Sequence, residues 1–159
     1  MCIRDRGNAG QLKLELGNLL MNDNASINSA STLAGTSGSA GQILIDLTNT
    51  LHMDDGSSIS TSTEGQGNAG NIIIGASNKP IALQMNDGST IQSNSNSEEM
   101  NAGLAGNLKI WATNTIDLHD GSEITTGSKN AGGGGIEINT RDRLHLQNSK
   151  ITTLSLIHI

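Results

Sequence analysis

Three aspartates, Asp55, Asp87 and Asp120, each stand directly before a Gly-Ser pair. Carboxylates that converge on one face, with Arg or Lys beside them, are what cleavage of a polysaccharide needs. An Asp before a Gly-Ser corner is also ordinary turn chemistry, and that is the role read for these three. Arg141, Asp142 and Arg143 form the densest charge cluster and read as a solvated strand face. Calcium-binding repeat loops carry G-G-x-G-x-D. Gly132-Gly133-Gly134-Gly135 lacks the Asp, which leaves Asp54, Asp55 and Asp120 as weak calcium candidates. His52, His119 and His145 follow aliphatic residues or lie between them, so alternation turns them outward. His52 and His145 share an outward column but stand three coils apart, about 14 Å, too far to share a metal. No catalytic residue, cofactor site or metal-ligand set is assigned.

Trp111 is the one aromatic residue among Phe, Tyr and Trp. It follows Ile110 and is expected on the outer face, where a Trp stacks on a sugar, docks a partner or folds onto a neighbouring loop. Leu44 and Ile73 fall in one outward column with Lys13, Lys109 and Glu137. Leu44, Ile73 and Trp111 are therefore the candidate contacts for a glycan or cell-surface receptor. Arrays such as Ser60-Thr61-Ser62-Thr63 suggest ice binding, but Asn, Gln and Ser interrupt the regular Thr lattice that function requires.

These side chains must be positioned by an unusual core. The 159 residues include 20 Gly, one Pro and neither Phe nor Tyr. Apolar residues make up 34% of the chain and charged residues 15%, with a net charge of −6. No basic run offers a footprint for nucleic acid. The apolar runs are a few residues long, far short of a membrane-spanning helix. Cys2 has no cysteine partner.

Internal repetition organises the rest. Ala40-Gly41-Gln42-Ile43-Leu44-Ile45 returns as Ala69-Gly70-Asn71-Ile72-Ile73-Ile74 and as Ala105-Gly106-Asn107-Leu108-Lys109-Ile110. An earlier copy begins at Ala9-Gly10 and a later, looser one at Gly133-Gly134. The second glycines, at 10, 41, 70, 106 and 134, are 31, 29, 36 and 28 residues apart. Five aliphatic columns follow. The first is Leu12, Ile43, Ile72, Leu108 and Ile136, and the second is Leu14, Ile45, Ile74, Ile110 and Ile138. The third is Leu19, Leu51, Leu83, Ile116 and Leu144, and the fourth is Met21, Met53, Met85, Leu118 and Leu146. Ile27, Ile59, Ile91, Ile124 and Ile151 complete the fifth.

Columns one and two are two residues apart, as are three and four, and period two means strands with one buried face. Each copy reads as three short strands separated by turns. Stacking the copies in register turns five thin layers into one core. The expectation is an all-β, right-handed parallel β-helix of about five coils, the hand following the usual rule for parallel crossovers. The repeats are placed at about 7–39, 40–68, 69–104, 105–132 and 133–153. Asn24, Gly56, Gly88, Gly121 and Asn148 fill one corner slot, restricted to the residues that tolerate positive φ. Segments Ser29–Ala40, Ser62–Ala69, Ser93–Ala105 and Gly127–Gly133 vary in length and should display loops along one edge, where binding usually resides.

The run A-G-N-I-x-I, an apolar pair, then D-G-S-x-I-x-T resembles the repeats of filamentous haemagglutinin-like exoproteins, the adhesins of two-partner secretion systems. The resemblance covers residues 7–153. It implies a secreted or outer-cell-surface location, export through an outer-membrane transporter partner, and a non-catalytic stalk continued by flanking coils of a longer chain. The alternatives are a fragment of a carbohydrate-active β-helix enzyme, lyase or hydrolase, and a surface-layer or biofilm matrix protein without a specific receptor. Residues 1–6 and 154–159 resemble translated sequencing-adapter ends and are set apart from the repeat domain.

Overall fold

The computed structural model describes residues 7–156 except 33, 35, 36, 77, 78 and 100. The sequence 1–6, set apart as adapter-derived, lies outside the described residues.

Strands β1 (Leu12–Met21) and β2 (Ser26–Ser31) make the first rung, and β3 (Ile43–Met53) and β4 (Ser58–Thr63) the second. The third rung is β5 (Ile72–Ile74), β6 (Ala82–Met85) and β7 (Thr90–Ser95). The fourth is β8 (Leu108–Trp111), β9 (Thr115–His119) and β10 (Glu123–Ser128). The fifth is β11 (Ile136–Asn139), β12 (Arg143–Gln147) and β13 (Lys150–Ser155). No helix occurs among the described residues, and every strand pairing is parallel. The chain is a parallel β-solenoid. Its rungs amount to about 4 turns, slightly fewer than the five coils expected.

Register follows the five columns at each rung. Leu12 pairs with Ile43, Ile43 with Ile72, Ile72 with Leu108 and Leu108 with Ile136. The column from Ile27 through Ile59, Ile91 and Ile124 to Ile151 is continuous in the same way. Three strands per coil is correct only for the later rungs. In the first two, β1 and β3 each run through both expected strands as one, and a register shift between Leu16 and Asn18 absorbs the bend. In the third rung Gly75, at φ 78°, and the insertion around Lys79-Pro80 break the ladder, so β3 pairs with β5 along one half and β6 along the other.

The middle of each column is sealed: Ile43, Ile45, Leu51, Met53, Ile59, Ile72 and Ile91 are fully buried. A fully buried aliphatic side chain contributes about 1.5–3 kcal/mol. The last rung departs from this: Ile136, Ile138 and Ile151 are half-buried, and Leu144 and Leu146 are 42% and 38% exposed. They point along their columns, against Ile116 and Leu118, but no described rung lies beyond them. Leu47, Ile81 and Ala112 are buried too, outside the five columns, and fill the angle between the first two faces.

The third face has a different interior. Its inward positions after Ile are hydroxyls: Ser29, Thr61, Ser93 and Thr126 in one column, Thr63, Ser95 and Ser128 in the next, all buried. Ser29 Oγ donates to the Gly10 carbonyl and accepts from the Gly41 N–H. Ser93 Oγ likewise bonds the Gly70 carbonyl at 2.8 Å and the Gly106 N–H at 2.9 Å. Thr61 donates to the Gly70 carbonyl at 2.6 Å, and Thr126 to that of Gly134 at 3.0 Å. The recurring glycine is thus the point where the chain re-enters the sheet against a buried hydroxyl. A Cβ on Gly70 would lie 2.0 Å from the Gly41 carbonyl oxygen, and one on Gly106 2.0 Å from that of Gly70. Rungs at this point meet backbone to backbone, with no room for a side chain.

Candidate functional site

The assigned corner positions all carry left-handed backbone: Asn24 has φ 59°, Gly56 70°, Gly88 73°, Gly121 84° and Asn148 53°. The preceding Asp23, Asp55, Asp87 and Asp120 are left-handed as well, at φ 50–55°. Two consecutive positive φ values and an i to i+3 bond, such as Ser57 N–H to Asp54 O at 3.1 Å, are the pattern of a type I′ turn. The aspartates therefore serve the turn through their own left-handed backbone. Each corner also bonds the next: the Gly56 N–H donates to Asp87 O and the Gly88 N–H to Asp120 O, both at 2.9 Å.

The candidate contact residues sit on the outer surface of the first face. Lys13, Leu44, Ile73, Lys109 and Glu137 are in one register column, with Leu44 and Ile73 half-buried. Lys109 ties this column to Trp111: its Nζ lies 4.5 Å from the Trp ring centroid and 2.9 Å from Glu137 Oε2. That ion pair, with a further bond from Asn139, holds the Glu137 carboxyl below its ordinary pKa. Trp111 is half-buried and lines a pocket of about 230 Å³ with Thr113, Asn139, Thr140 and Arg141. The Arg-Asp-Arg cluster is divided by the fold. Arg141 and Asp142 lie in the bend before β12, and Arg143 alone enters the strand, where its Nη2 bonds Asp117 Oδ1 at 2.9 Å.

The loop edge begins later than expected, because β2, β4, β7 and β10 continue to Ser31, Thr63, Ser95 and Ser128. Beyond them the loops bond from rung to rung: Gln66 to Glu99 at 2.7 Å, Asn96 to Glu64 at 3.3 Å and Lys129 to Glu98 at 3.1 Å.

A second outward strip runs over the face made by β6, β9 and β12. His52 pairs with Gln84, Gln84 with Asp117 and Asp117 with His145, so His52 and His145 do share a column at a distance. His52 is engaged elsewhere, its Nε2 2.5 Å from Asp54 Oδ2 in its own rung and its Nδ1 3.1 Å from Gln84 Oε1 in the next. The histidines that meet are His119 and His145, whose rings pack edge to face with centroids 5.1 Å apart. Asp117 lies beside both. One ligand atom from each of Asp117, His119 and His145 falls within 4.8 Å of the others. The Asp117 side chain is only 12% exposed, against 46% for His145. Gln84, Asn86 and Arg143 complete the lining of a pocket of about 410 Å³ around the three.

Period two explains how this group arises. Asp117-Leu118-His119 puts both polar side chains on the outer surface of one strand, and Leu144-His145-Leu146 delivers His145 opposite Asp117 from the next rung. Along their shared column His52 and His145 stand too far apart to hold one ion, so the column alone offers no ligand set. The diagonal from His119 to His145 was the missed signal, visible once the fourth aliphatic column had been aligned. No protein-family model, no curated protein and no solved structure matches the chain.

Proposed function

We propose that this chain is a stiff, non-catalytic stalk segment of a large secreted or cell-surface exoprotein that displays variable loops. The observation that carries the reading is the continuous register of five aliphatic columns across the described rungs. Such a stack gains length by adding rungs that each contact only their neighbours, which suits a spacer rather than an enclosed active site. The likeness of A-G-N-I-x-I and D-G-S-x-I-x-T to filamentous haemagglutinin-like repeats supports an adhesive role and export through an outer-membrane transporter.

On this reading the contacts for a glycan or receptor lie along the loop edge and at Trp111. Beads coated with the chain should bind a subset of an immobilised glycan panel, and Trp111→Ala or exchange of the 96–107 loop should reduce that binding. Release of new reducing ends from acidic polysaccharides, abolished by Asp117→Asn, would instead identify a carbohydrate-active enzyme.

A further inference from the structure

We propose that Asp117, His119 and His145 form a binding site for a divalent transition metal of the zinc class, joining the fourth rung to the fifth. Two imidazoles and one carboxylate are the donor set such ions prefer, whereas calcium and magnesium require mostly oxygen ligands. Bonds of about 2.0–2.2 Å to nitrogen and oxygen put neighbouring ligand atoms of a tetrahedral site roughly 3.3 Å apart. The three donors already lie within 4.8 Å of one another, so small side-chain rotations close the remaining gap. Asp117 and His119 are fixed two residues apart on β9, and His145 is set opposite Asp117 by backbone pairing. The site therefore rests on sheet register instead of a loop.

Arg143 is the competing cation. It occupies Asp117 Oδ1, but its side chain is 62% exposed and can swing into solvent, and the carboxylate has a second oxygen. The Arg keeps the carboxylate paired when the metal is absent and weakens the site when it is present. The pocket of about 410 Å³ leaves room for a water or an external ligand in the remaining coordination positions. Binding would clamp β12, whose Leu144 and Leu146 are otherwise held on one side only. The inference stands independently of the stalk reading, because it concerns three side chains and not the role of the solenoid.

Isothermal titration of the full chain with zinc chloride, and separately with calcium chloride, tests the proposal. Zinc should bind with one equivalent at these residues and calcium should not. His119→Ala and His145→Gln should each weaken zinc binding at least tenfold, whereas His52→Ala should leave it unchanged. Arg143→Gln should tighten it several-fold. Cobalt in place of zinc should give visible d–d absorption that His145→Gln removes. Far-UV circular dichroism checks that each variant remains folded; His145 and Arg143 are surface residues, so at least two of the tests are independent of core packing. Absence of zinc binding, equal binding of calcium, or zinc binding that survives both histidine substitutions would each overturn the site.

Discussion

The two sheets enclose one interior with opposite chemistry. The eight-stranded sheet fills its inward positions with Ile, Leu and Met. The five-stranded sheet offers one Ile per strand, followed in β2, β4, β7 and β10 by buried Ser or Thr. The aliphatic side gains stability by excluding water. On the hydroxyl side, short side chains reach the glycine backbone where the next turn begins, and there the carbonyl of one rung stacks against the glycine of the next. A solenoid without Phe or Tyr thus closes with aliphatic packing on one wall and hydroxyl-to-glycine bonding on the other.

Substitutions can break this contrast at graded depth. Gly70→Ala should have the largest effect, because its Cβ would lie 2.0 Å from the Gly41 carbonyl oxygen, a rigid neighbour. A loss above about 4 kcal/mol, read as failure to fold or a collapsed urea midpoint, is expected. Ile45→Ala, on the aliphatic wall, should cost about 2–5 kcal/mol in urea unfolding. Ser93→Ala should cost about 1–3 kcal/mol, since it strands the buried Gly106 N–H. Ser57→Ala is its control: Ser57 Oγ is buried without a hydrogen-bond partner among the described residues, so its removal should leave the midpoint unchanged or raised. If both serines behave alike, hydroxyl bonding is not what distinguishes the second wall. Smallest is the surface pair Lys109–Glu137. Glu137 titrates below its ordinary value because Lys109 holds it charged. Its contribution is present above the unfolded-state value and lost as pH falls through the folded one. Thermal melts of wild type and Glu137→Gln should therefore differ slightly near neutrality and converge in acid.

Much of the scaffold was legible because its period is short and its columns are pure. Repeating Ile, Leu and Met two residues apart specified strand, face and register together. The corner slot was legible because only Gly and Asn occupy it, although Asp55, Asp87 and Asp120 being left-handed themselves was not, since Asp is equally at home as a cap. Ser29, Thr61, Ser93 and Thr126 were hidden because an inward hydroxyl and an outward one look the same until a partner carbonyl is placed. Leu144 and Leu146 look like core in sequence, and they are exposed because no rung among the described residues covers them. The Asp117, His119 and His145 group needed one more step than columns provide: a diagonal between neighbouring strands, where two rows of alternation overlap.

The bonds between rungs point along the stacking axis, and each rung is held only by its neighbours. Tension applied through the chain ends would therefore peel the solenoid from a terminus, one turn at a time. A rung contributes about 4.8 Å to the folded stack. Released, its 28–36 residues span on the order of 100 Å at about 3.4 Å per residue. Stacking held only between neighbours would thus give the structure a reserve of extension, released stepwise under load.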